Sequence, residues 1–353
     1  MDHGPRSGET GETNVRSDRP YKIGGLLIPL FDYNRTDGLG FGLGIEIYDR
    51  KRELDFGYRN RITAWTFWTT SGNYSSNYVQ YERRGSGSMF VARVAYRVWK
   101  DMQYVGAGGD DVLVRNLPER EGGNTVYGPS LLTTALVPMK GTPLYVWAQG
   151  YARYTLSEAR PGGILEERQP YGLGEAFYFD VSAGVAVQEV DRWPLPNKGV
   201  RAEASVRGGG SVSNGQAFEP LVGVNAEVIG WWPLVGDRLV IGARAVVDKT
   251  WGKRPFWEQE WLGGQLRDEN AYEQMVTGYN RSRSRGDGLV ANLVELRGRI
   301  GRTRHPFWDL EFYVSAFAES AFLFDEGELE AHLPSVGFGP ELLWQGVVQL
   351  RPF

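Results

Sequence analysis

The sequence predicts an all-β protein, a transmembrane antiparallel up-and-down β-barrel, and three observations lead to this prediction. Polar and apolar residues alternate with a period of two along most of the chain, between clusters of Gly, Asn, Asp and Pro. Aromatic residues gather at the ends of the predicted strands, as they do at the two membrane interfaces of such barrels. Short connections alternate with long ones, which is the usual asymmetry of these barrels.

The alternation is clearest in the glycine-rich segment 38–47. Leu39, Phe41, Leu43 and Ile45 share one face of the predicted strand with Ile47, whereas glycines and Glu46 occupy the other face. A nucleotide-binding interpretation of these glycines requires a helix directly after them, and the sequence predicts none. Glycines on an inner face instead leave room for a plug, a loop or close approach of another backbone. Segments 90–99, 144–156 and 200–207 alternate in the same way, with Arg93, Arg97, Arg153 and Arg201 in their inner sets.

Alternation alone does not distinguish a membrane barrel from a soluble sandwich. The connections and the aromatic residues favour the barrel. Connections 84–88, 139–142 and 232–237 are short, whereas 101–125, 158–174 and 251–288 are long, and the sequence given ends on Phe353. The tryptophans assigned to strand ends are Trp65, Trp68, Trp231, Trp232, Trp251, Trp257, Trp261 and Trp308.

The composition of the 353 residues excludes several classes of protein. No run of about twenty apolar residues exists, so no transmembrane helix is expected, and a mean hydropathy of -0.38 is compatible with barrel strands. Lys plus Arg number 39 against 43 Asp plus Glu, so nucleic acid is not an expected partner. The absence of cysteine excludes disulfides and thiolate metal sites. Residues 1–20 are polar, and we expect a disordered leader or tag remnant there, followed by one barrel domain over 21–353.

Catalysis finds little support in the sequence. The three histidines are His3, His305 and His332, none of them in a pair with metal-ligand spacing, and no Gly-x-Ser-x-Gly motif occurs. We therefore expect no enzyme, no metal and no cofactor. Outer-membrane phospholipases use a Ser and a His on the barrel wall, an arrangement that spacing along the sequence cannot exclude.

A basic, glycine-rich segment precedes a strand that carries charge on alternate positions. Arg281, Arg283 and Arg285 alternate with serines, and in the next strand Glu295 and Arg297 lie on one face. If the apolar face of that strand meets lipid, its charged face lines the interior, and the loop can fold into it. A buried carboxylate needs a cationic partner, so we expect the loop arginines to pair with Glu295 and Glu319. The alternative is a solvated basic loop.

Four stretches of the sequence resemble the outer-membrane assembly and translocation superfamily of bacterial surface antigens, the BamA/TamA-like proteins. Residues 29–44 resemble the first hairpin of the family. Asp191 with Pro196 and Gly199 resembles its Pro-x-x-Gly turn, and residues 252–264 resemble the approach to its long sixth extracellular loop. The signature of that loop and the strand after it are matched by Val276, Thr277, Gly278, Tyr279, Arg283, Arg285, Gly286, Asp287 and 292–297.

The resemblance implies a barrel of sixteen strands in the outer membrane of a Gram-negative bacterium, although only about fourteen or fifteen strands are readable here. It further implies that the long extracellular loop 251–288 folds into the lumen, where Glu295, Arg297 and Glu319 would be its partners. The implied function is insertion or translocation of protein or lipid. Outer-membrane lipid and lipopolysaccharide are the implied surroundings.

The sequence departs from the family at specific positions. Thr277 replaces the arginine of the loop motif, Val190 replaces the arginine before Asp191, and Glu319 stands where the family tends to carry Asp. About twenty residues precede the predicted barrel, so we expect the periplasmic POTRA repeats to be absent and a periplasmic or outer-membrane partner protein to supply their role.

Two other functions stay open at this stage. A passive or plugged channel would be biased toward anions by its inner arginines. A structural subunit of an outer-membrane complex would co-purify with a fixed partner. Planar-bilayer conductance before and after deletion of residues 265–287 distinguishes an open channel from a plugged translocase.

The pairing of Glu319 with a loop arginine gives a first prediction. Glu319→Ala removes the carboxylate from a desolvated ion pair, so we expect the variant to lose several kcal/mol of stability. Its folded band should no longer resist heating on a semi-native gel. Unchanged heat resistance would contradict the pairing.

Overall fold

The computed structural model describes residues 22–34, 38–50, 58–85, 87–102, 123–191, 195–258, 286–305, 308–344 and 348–350. These residues form one antiparallel sheet in which each strand pairs with the next along the chain. The strands are β1 (Lys22–Asn34), β2 (Gly38–Arg50), β3 (Tyr58–Thr69), β4 (Tyr74–Arg84), β5 (Met89–Met102), β6 (Asn124–Pro138), β7 (Leu144–Glu158), β8 (Gly174–Val190), β9 (Gly199–Ser213), β10 (Glu219–Val235), β11 (Leu239–Gly252), β12 (Gly288–His305), β13 (Trp308–Asp325), β14 (Glu328–Trp344) and β15 (Val348–Leu350). The predicted all-β, up-and-down architecture is confirmed.

The two ends of the sheet differ in the length of their connections. Connections 103–123, 159–173 and 253–287 all lie at one end, which we call the loop end. Connections 85–88, 139–143 and 236–238 lie at the opposite end, the turn end. The three predicted long connections thus lie at one end of the sheet and the three predicted short ones at the other, and the loop end also carries short connections such as 326–327.

One face of the sheet is apolar and exposed, and the other is buried. Phe41, Val94 and Val206 are 46%, 59% and 59% exposed, and they belong to the outer sets that the alternation predicts. Trp147 and Tyr151, of the inner sets, are only 3% and 8% exposed. The interior of the curled sheet is therefore its core, and its outer surface is a continuous apolar belt.

The glycines of β2 make room for aromatic rings on the neighbouring strand. A Cβ atom at Gly40 would lie 2.2 Å from the ring of Phe67, and one at Gly44 would lie 3.1 Å from the ring of Trp65. The space predicted on the inner face is thus filled by side chains of β3. Trp68, Trp232 and Trp251 are about half exposed near strand ends, at 44%, 54% and 51%. Trp257, also expected at a membrane interface, is instead buried inside.

Within the described ranges, one short helix interrupts the all-β pattern. Helix α1 (Ile164–Arg168) lies in the loop-end connection 159–173 and buries Ile164 and Leu165. Its five residues are too few to produce a recognisable helical period, which is why the sequence does not predict it. No helix in the described part of the chain is long and apolar enough to cross a membrane.

The sheet does not close among the described residues. Strand β15 pairs with only three residues of β14, Leu342–Trp344, and no described pairing joins β1 to β14 or β15. The described strands number fifteen, as the sequence pattern indicates, and not the sixteen implied by the resemblance. Because β1 ends and β14 begins at the loop end, these two strands run antiparallel, as a closing pair of an up-and-down barrel must.

Arginine substitutions at two equally exposed valines test whether the outer face meets lipid. Val206 lies at the middle of β9 and Val235 at the turn end of β10, with exposed fractions of 59% and 60%. In lipid vesicles, Val206→Arg should lower the free energy of unfolding by about 2–4 kcal/mol and Val235→Arg by about 0–1 kcal/mol. Urea unfolding measures both values. Equal, small losses would indicate that the outer face contacts water.

Candidate functional site

The inner wall of the sheet carries ion pairs that connect neighbouring strands. Arg61 on β3 lies between Glu46 on β2 and Glu82 on β4, at 3.3 and 2.6 Å. Arg244 on β11 lies 2.7 Å from Glu227 on β10. Each charge has lost water on entering the wall and is compensated by an opposite charge one strand away. Part of the charge of the inner wall is therefore neutralised between adjacent strands.

One ion pair of the wall skips a strand, and a glycine makes this possible. The Arg207 guanidinium on β9 reaches Asp248 on β11 at 2.5 Å. Gly223 on the intervening β10 lies beneath it, and a Cβ atom there would come within 2.4 Å of Arg207 Nε. Asn225 donates a further hydrogen bond to Asp248 at 3.2 Å. A larger residue at Gly223 would block this crossing.

The loop end is covered by the connection that contains α1. Leu165 of α1 and Phe256 are both fully buried, and they share one apolar cluster with Tyr178 and Trp257. The backbone N–H of Phe256 donates to the Tyr171 carbonyl at 2.9 Å. Two loop-end connections, 159–173 and the first residues of 253–287, are therefore packed against each other.

The beginning of the long connection 253–287 lies inside the barrel wall. Glu258 is 1% exposed and accepts a hydrogen bond from the Tyr151 hydroxyl at 3.1 Å. Arg153 lies 3.5 Å from the same carboxylate oxygen and 4.8 Å above the Trp257 ring. Trp257 Nε1 donates to the Gly172 carbonyl at 3.3 Å. The described start of this loop thus enters the lumen, as expected for loop 251–288, and it does so through Trp257 and Glu258.

The same connection rejoins the wall through Asp287. The Asp287 N–H donates to the Phe324 carbonyl at 2.9 Å, and its side chain pairs with Lys249 and accepts from the Glu326 N–H at 3.2 Å. A Cβ atom at Gly286 would lie 2.4 Å from the Phe324 carbonyl oxygen, so a larger residue does not fit there. The other predicted loop residues, Val276, Thr277, Gly278, Tyr279, Arg283 and Arg285, lie outside the described residues.

Glu295 and Glu319 both face the interior. Glu295 accepts a hydrogen bond from Ser315 at 3.4 Å, and Glu319 is 7% exposed. Glu319 lies opposite Leu293 on β12 and Ser335 on β14. Their predicted partners, Arg283 and Arg285, are not among the described residues, so the Arg–Glu pairing stays a prediction.

The predicted turn motif forms a compact bend at the turn end. The Asp191 carboxylate accepts the N–H groups of Asn197 and Lys198 at 2.9 and 3.1 Å. Gly199 has a φ of 126°, and a Cβ atom there would lie 2.0 Å from the Glu189 carbonyl oxygen. Only glycine suits that position. The Asp191, Pro196 and Gly199 motif therefore has a local structural role.

The same turn reaches across the interior to β12–β14. Leu195 is 3% exposed and packs in one cluster with Tyr313 and Leu343. Arg297, which is 4% exposed, donates a hydrogen bond to the Pro196 carbonyl, and its guanidinium lies 5.8 Å from the centre of the Tyr313 ring. Two separately predicted sites, the turn at Pro196 and the strand at Arg297, are thus in contact. An apolar Leu195 between Pro194 and Pro196 is the sequence signal of such packing.

Taken together, described segments occupy the interior near both ends of the barrel. We call the Leu195–Asn197 contact with β12–β14 the lower plug and the Pro255–Glu258 contact with β7–β8 the upper plug. Among the described residues no group of three or more His, Cys, Asp or Glu side chains is placed to hold a metal ion. The chemistry of this interior is therefore that of ion pairs and packed rings.

Comparison with known proteins supports the fold only. No family model and no curated protein matches the sequence. Among solved structures, BamA from Haemophilus ducreyi lacking POTRA domains 1–3 is similar, with a TM-score of 0.56 and 13% identity over 91% of this chain and 63% of that one. This chain thus spans less than two thirds of that BamA chain.

Two further solved structures are similar at lower scores. A bacterial polysaccharide outer membrane secretin has a TM-score of 0.47 and 11% identity over 93% of this chain and 86% of that chain. CdiB from Acinetobacter baumannii has a TM-score of 0.47 and 12% identity over 91% and 53%. Of these three neighbours BamA has the highest TM-score, and its likeness agrees with the barrel architecture.

Arg297→Ala tests the lower plug. The substitution leaves the buried Pro196 carbonyl without its donor, so we expect the free energy of unfolding to fall by about 1–3 kcal/mol. The amides of Asn197 and Lys198 should also exchange hydrogen faster. Lys198→Ala, which changes an exposed side chain of the same turn, should cost less than about 0.5 kcal/mol. Equal stability and exchange in the two variants would show that Arg297 does not hold the turn.

Proposed function

We propose that this protein is an integral β-barrel of the bacterial outer membrane that inserts or translocates protein or lipid. The observation that carries the proposal is a barrel whose interior is occupied near both ends, while among the described residues no pairing joins β1 to β14 or β15, a gap that we call the seam. The proposed role requires no catalytic residue and no cofactor. Lipid and lipopolysaccharide are its proposed surroundings.

The outer face supports a membrane location. Exposed large apolar side chains follow the outer set of nearly every strand, and Val181 and Val206 in mid-strand are each 59% exposed. Soluble monomers rarely expose a continuous apolar surface of this extent. Many charged residues, by contrast, lie on the inner wall, where several form ion pairs. This distribution matches a barrel in lipid.

The occupied interior argues against a simple open pore. Two of the inner arginines that would bias a channel toward anions have partners: Arg153 pairs with Glu258, and Arg93 donates to Gln80 at 2.8 Å. The Glu258 carboxylate offsets the charge of Arg153, whereas the neutral Gln80 amide occupies hydrogen-bond donors of Arg93. A plugged channel and a structural subunit remain the alternative functions, and the second predicts a fixed partner on purification.

The seam supports a role in insertion. Strand β14 pairs with β15 only at Leu342–Trp344, and the apolar Val336 and Phe338 of β14 are 83% and 82% exposed. Unpaired backbone groups in lipid cost several kcal/mol each, so this edge favours a β-strand partner. We propose that β1 and β14 form the closing pair and that their separation admits cargo. A periplasmic or outer-membrane partner protein would deliver that cargo.

Locking the proposed seam tests this function, and the chain contains no cysteine that would interfere. Leu27→Cys on β1 is combined in turn with Pro334→Cys, Val336→Cys or Phe338→Cys on β14, and each pair is oxidised. We expect one pair to form a disulfide and to stop the protein from accelerating the folding of a small unfolded outer-membrane barrel into phospholipid vesicles. Reduction should restore the acceleration.

The matched control is a disulfide inside the wall. Val79 on β4 and Val94 on β5 are directly opposite and similarly exposed, at 56% and 59%, so Val79→Cys with Val94→Cys should cross-link without effect on the assay. Full activity of a protein locked at the seam would contradict the proposed role of that seam.

A further inference from the structure

Three polar side chains lie side by side on the outer face of β12, β13 and β14. Ser320 Oγ lies 2.8 Å from His332 Nε2. Asn292 is the direct cross-strand partner of Ser320, and both Asn292 and His332 are exposed. The proposed transport role uses none of the three. The sequence could not bring them together, because their positions depend on the register of three strands.

The histidine ring of this group is held in a fixed plane. It stacks on the Phe322 ring with centroids 4.4 Å apart and an angle of 6° between the planes. With its proton on Nδ1, the ring presents an unprotonated Nε2 to the Ser320 hydroxyl. A serine within hydrogen-bond reach of such a base has the geometry of an activated nucleophile.

The position of Ser320 along the barrel axis matches the depth at which lipid esters lie in a membrane. With 18 residues, a rise of about 3.3 Å per residue and a tilt of about 40°, β13 extends roughly 45 Å, whereas the apolar belt of such barrels is about 25 Å tall. The strand therefore extends roughly 10 Å beyond a centred belt at each end. Ser320 lies five residues from Asp325 at the loop end, or roughly 13 Å below it, just inside the border of the belt.

We propose that Ser320 and His332, with Asn292, form a site that cleaves the acyl ester of a membrane lipid. His332 Nε2 takes the proton of the Ser320 hydroxyl while Oγ attacks the ester carbonyl carbon. The bond from that carbon to the alcohol oxygen breaks, and the proton on Nε2 passes to the departing alkoxide, which leaves an acyl group on Ser320. A water molecule, deprotonated by His332, then releases the fatty acid and restores the serine.

Asn292 is placed to stabilise the oxyanion that forms in this step. Directly opposite residues of an antiparallel pair have Cβ atoms about 4.5–5.5 Å apart, so the Asn292 amide can donate to an oxyanion formed at Ser320. Long apolar chains of the substrate would lie along the neighbouring belt, where Val294 and Val314 are 48% and 42% exposed. The substrate class is therefore a lipid with an ester at the level of the interface.

This inference rests on the proposed lipid contact of the outer face and not on the transport role. The test uses the full chain in detergent micelles and a fluorophosphonate that carries a long alkyl chain. We expect covalent labelling of Ser320, located by mass spectrometry. We also expect release of fatty acid from micelles that contain phosphatidylethanolamine.

Three variants separate catalysis from packing. Ser320→Ala should abolish both labelling and fatty-acid release. His332→Gln keeps a hydrogen-bonding side chain but not the base, so labelling should slow by about 100-fold. Asn292→Ala should slow ester cleavage by about 100-fold.

The matched control removes a hydroxyl elsewhere on the same outer face. Thr66 donates a hydrogen bond to Asn77 across β3 and β4, so Thr66→Ala should label and cleave like the unmodified protein. Absence of labelling at Ser320 in the unmodified protein, or equal labelling in His332→Gln, would overturn the proposal. Ser320→Ala should still accelerate barrel insertion, which distinguishes failure of this site from failure of the proposed transport role.

Discussion

The inner wall of this barrel depends on ion pairs that join buried charges on nearby strands. A charge that enters a curled sheet loses its water, and only a partner at short distance compensates for that loss. Arg61 between Glu46 and Glu82, and Arg207 beside Asp248, show two solutions, one between adjacent strands and one across Gly223. Because the side chains of a strand alternate between faces, the same register that pairs these charges also places the apolar residues outside. Strand register, ion pairs and the apolar outer surface therefore depend on one another.

In the two plugs, residues of the connections provide the partners of arginines of the wall. The upper plug brings Glu258 to Arg153, and the lower plug brings the Pro196 carbonyl to Arg297, so each supplies an acceptor to an arginine of the inner wall. Aromatic rings, Trp257 in one case and Tyr313 in the other, lie against the same arginines. The contacts of the two plugs therefore stabilise the barrel with its interior filled. Movement of cargo through a lateral seam fits such an interior better than movement along the axis.

The alternation of polar and apolar residues along the sequence is sufficient to predict the strands and their faces. The outer sets of β2, β5, β7 and β9 followed from period-two alternation alone, because side-chain direction in a strand depends only on neighbouring residues. Contacts between distant segments could not be predicted in this way. Arg297 and Pro196 are 101 residues apart, and Glu258 and Tyr151 are 107 apart, so their meeting depends on the curl of the whole sheet. Trp257 was assigned to a membrane interface for the same reason, and the Ser320–His332 pair appears only once the register of β13 and β14 is known.

The claim on which the account rests is that one face of the sheet meets lipid while the other is sealed inside. Spin labels placed singly at residues 200–207 of β9, in protein reconstituted into lipid vesicles, measure this directly through their accessibility to oxygen and to a water-soluble nickel reagent. We predict an alternation with a period of two, in which even-numbered positions are accessible to oxygen and shielded from nickel while odd-numbered positions are shielded from oxygen. Even-numbered positions as accessible to nickel as a label in water, or no alternation at all, would contradict it.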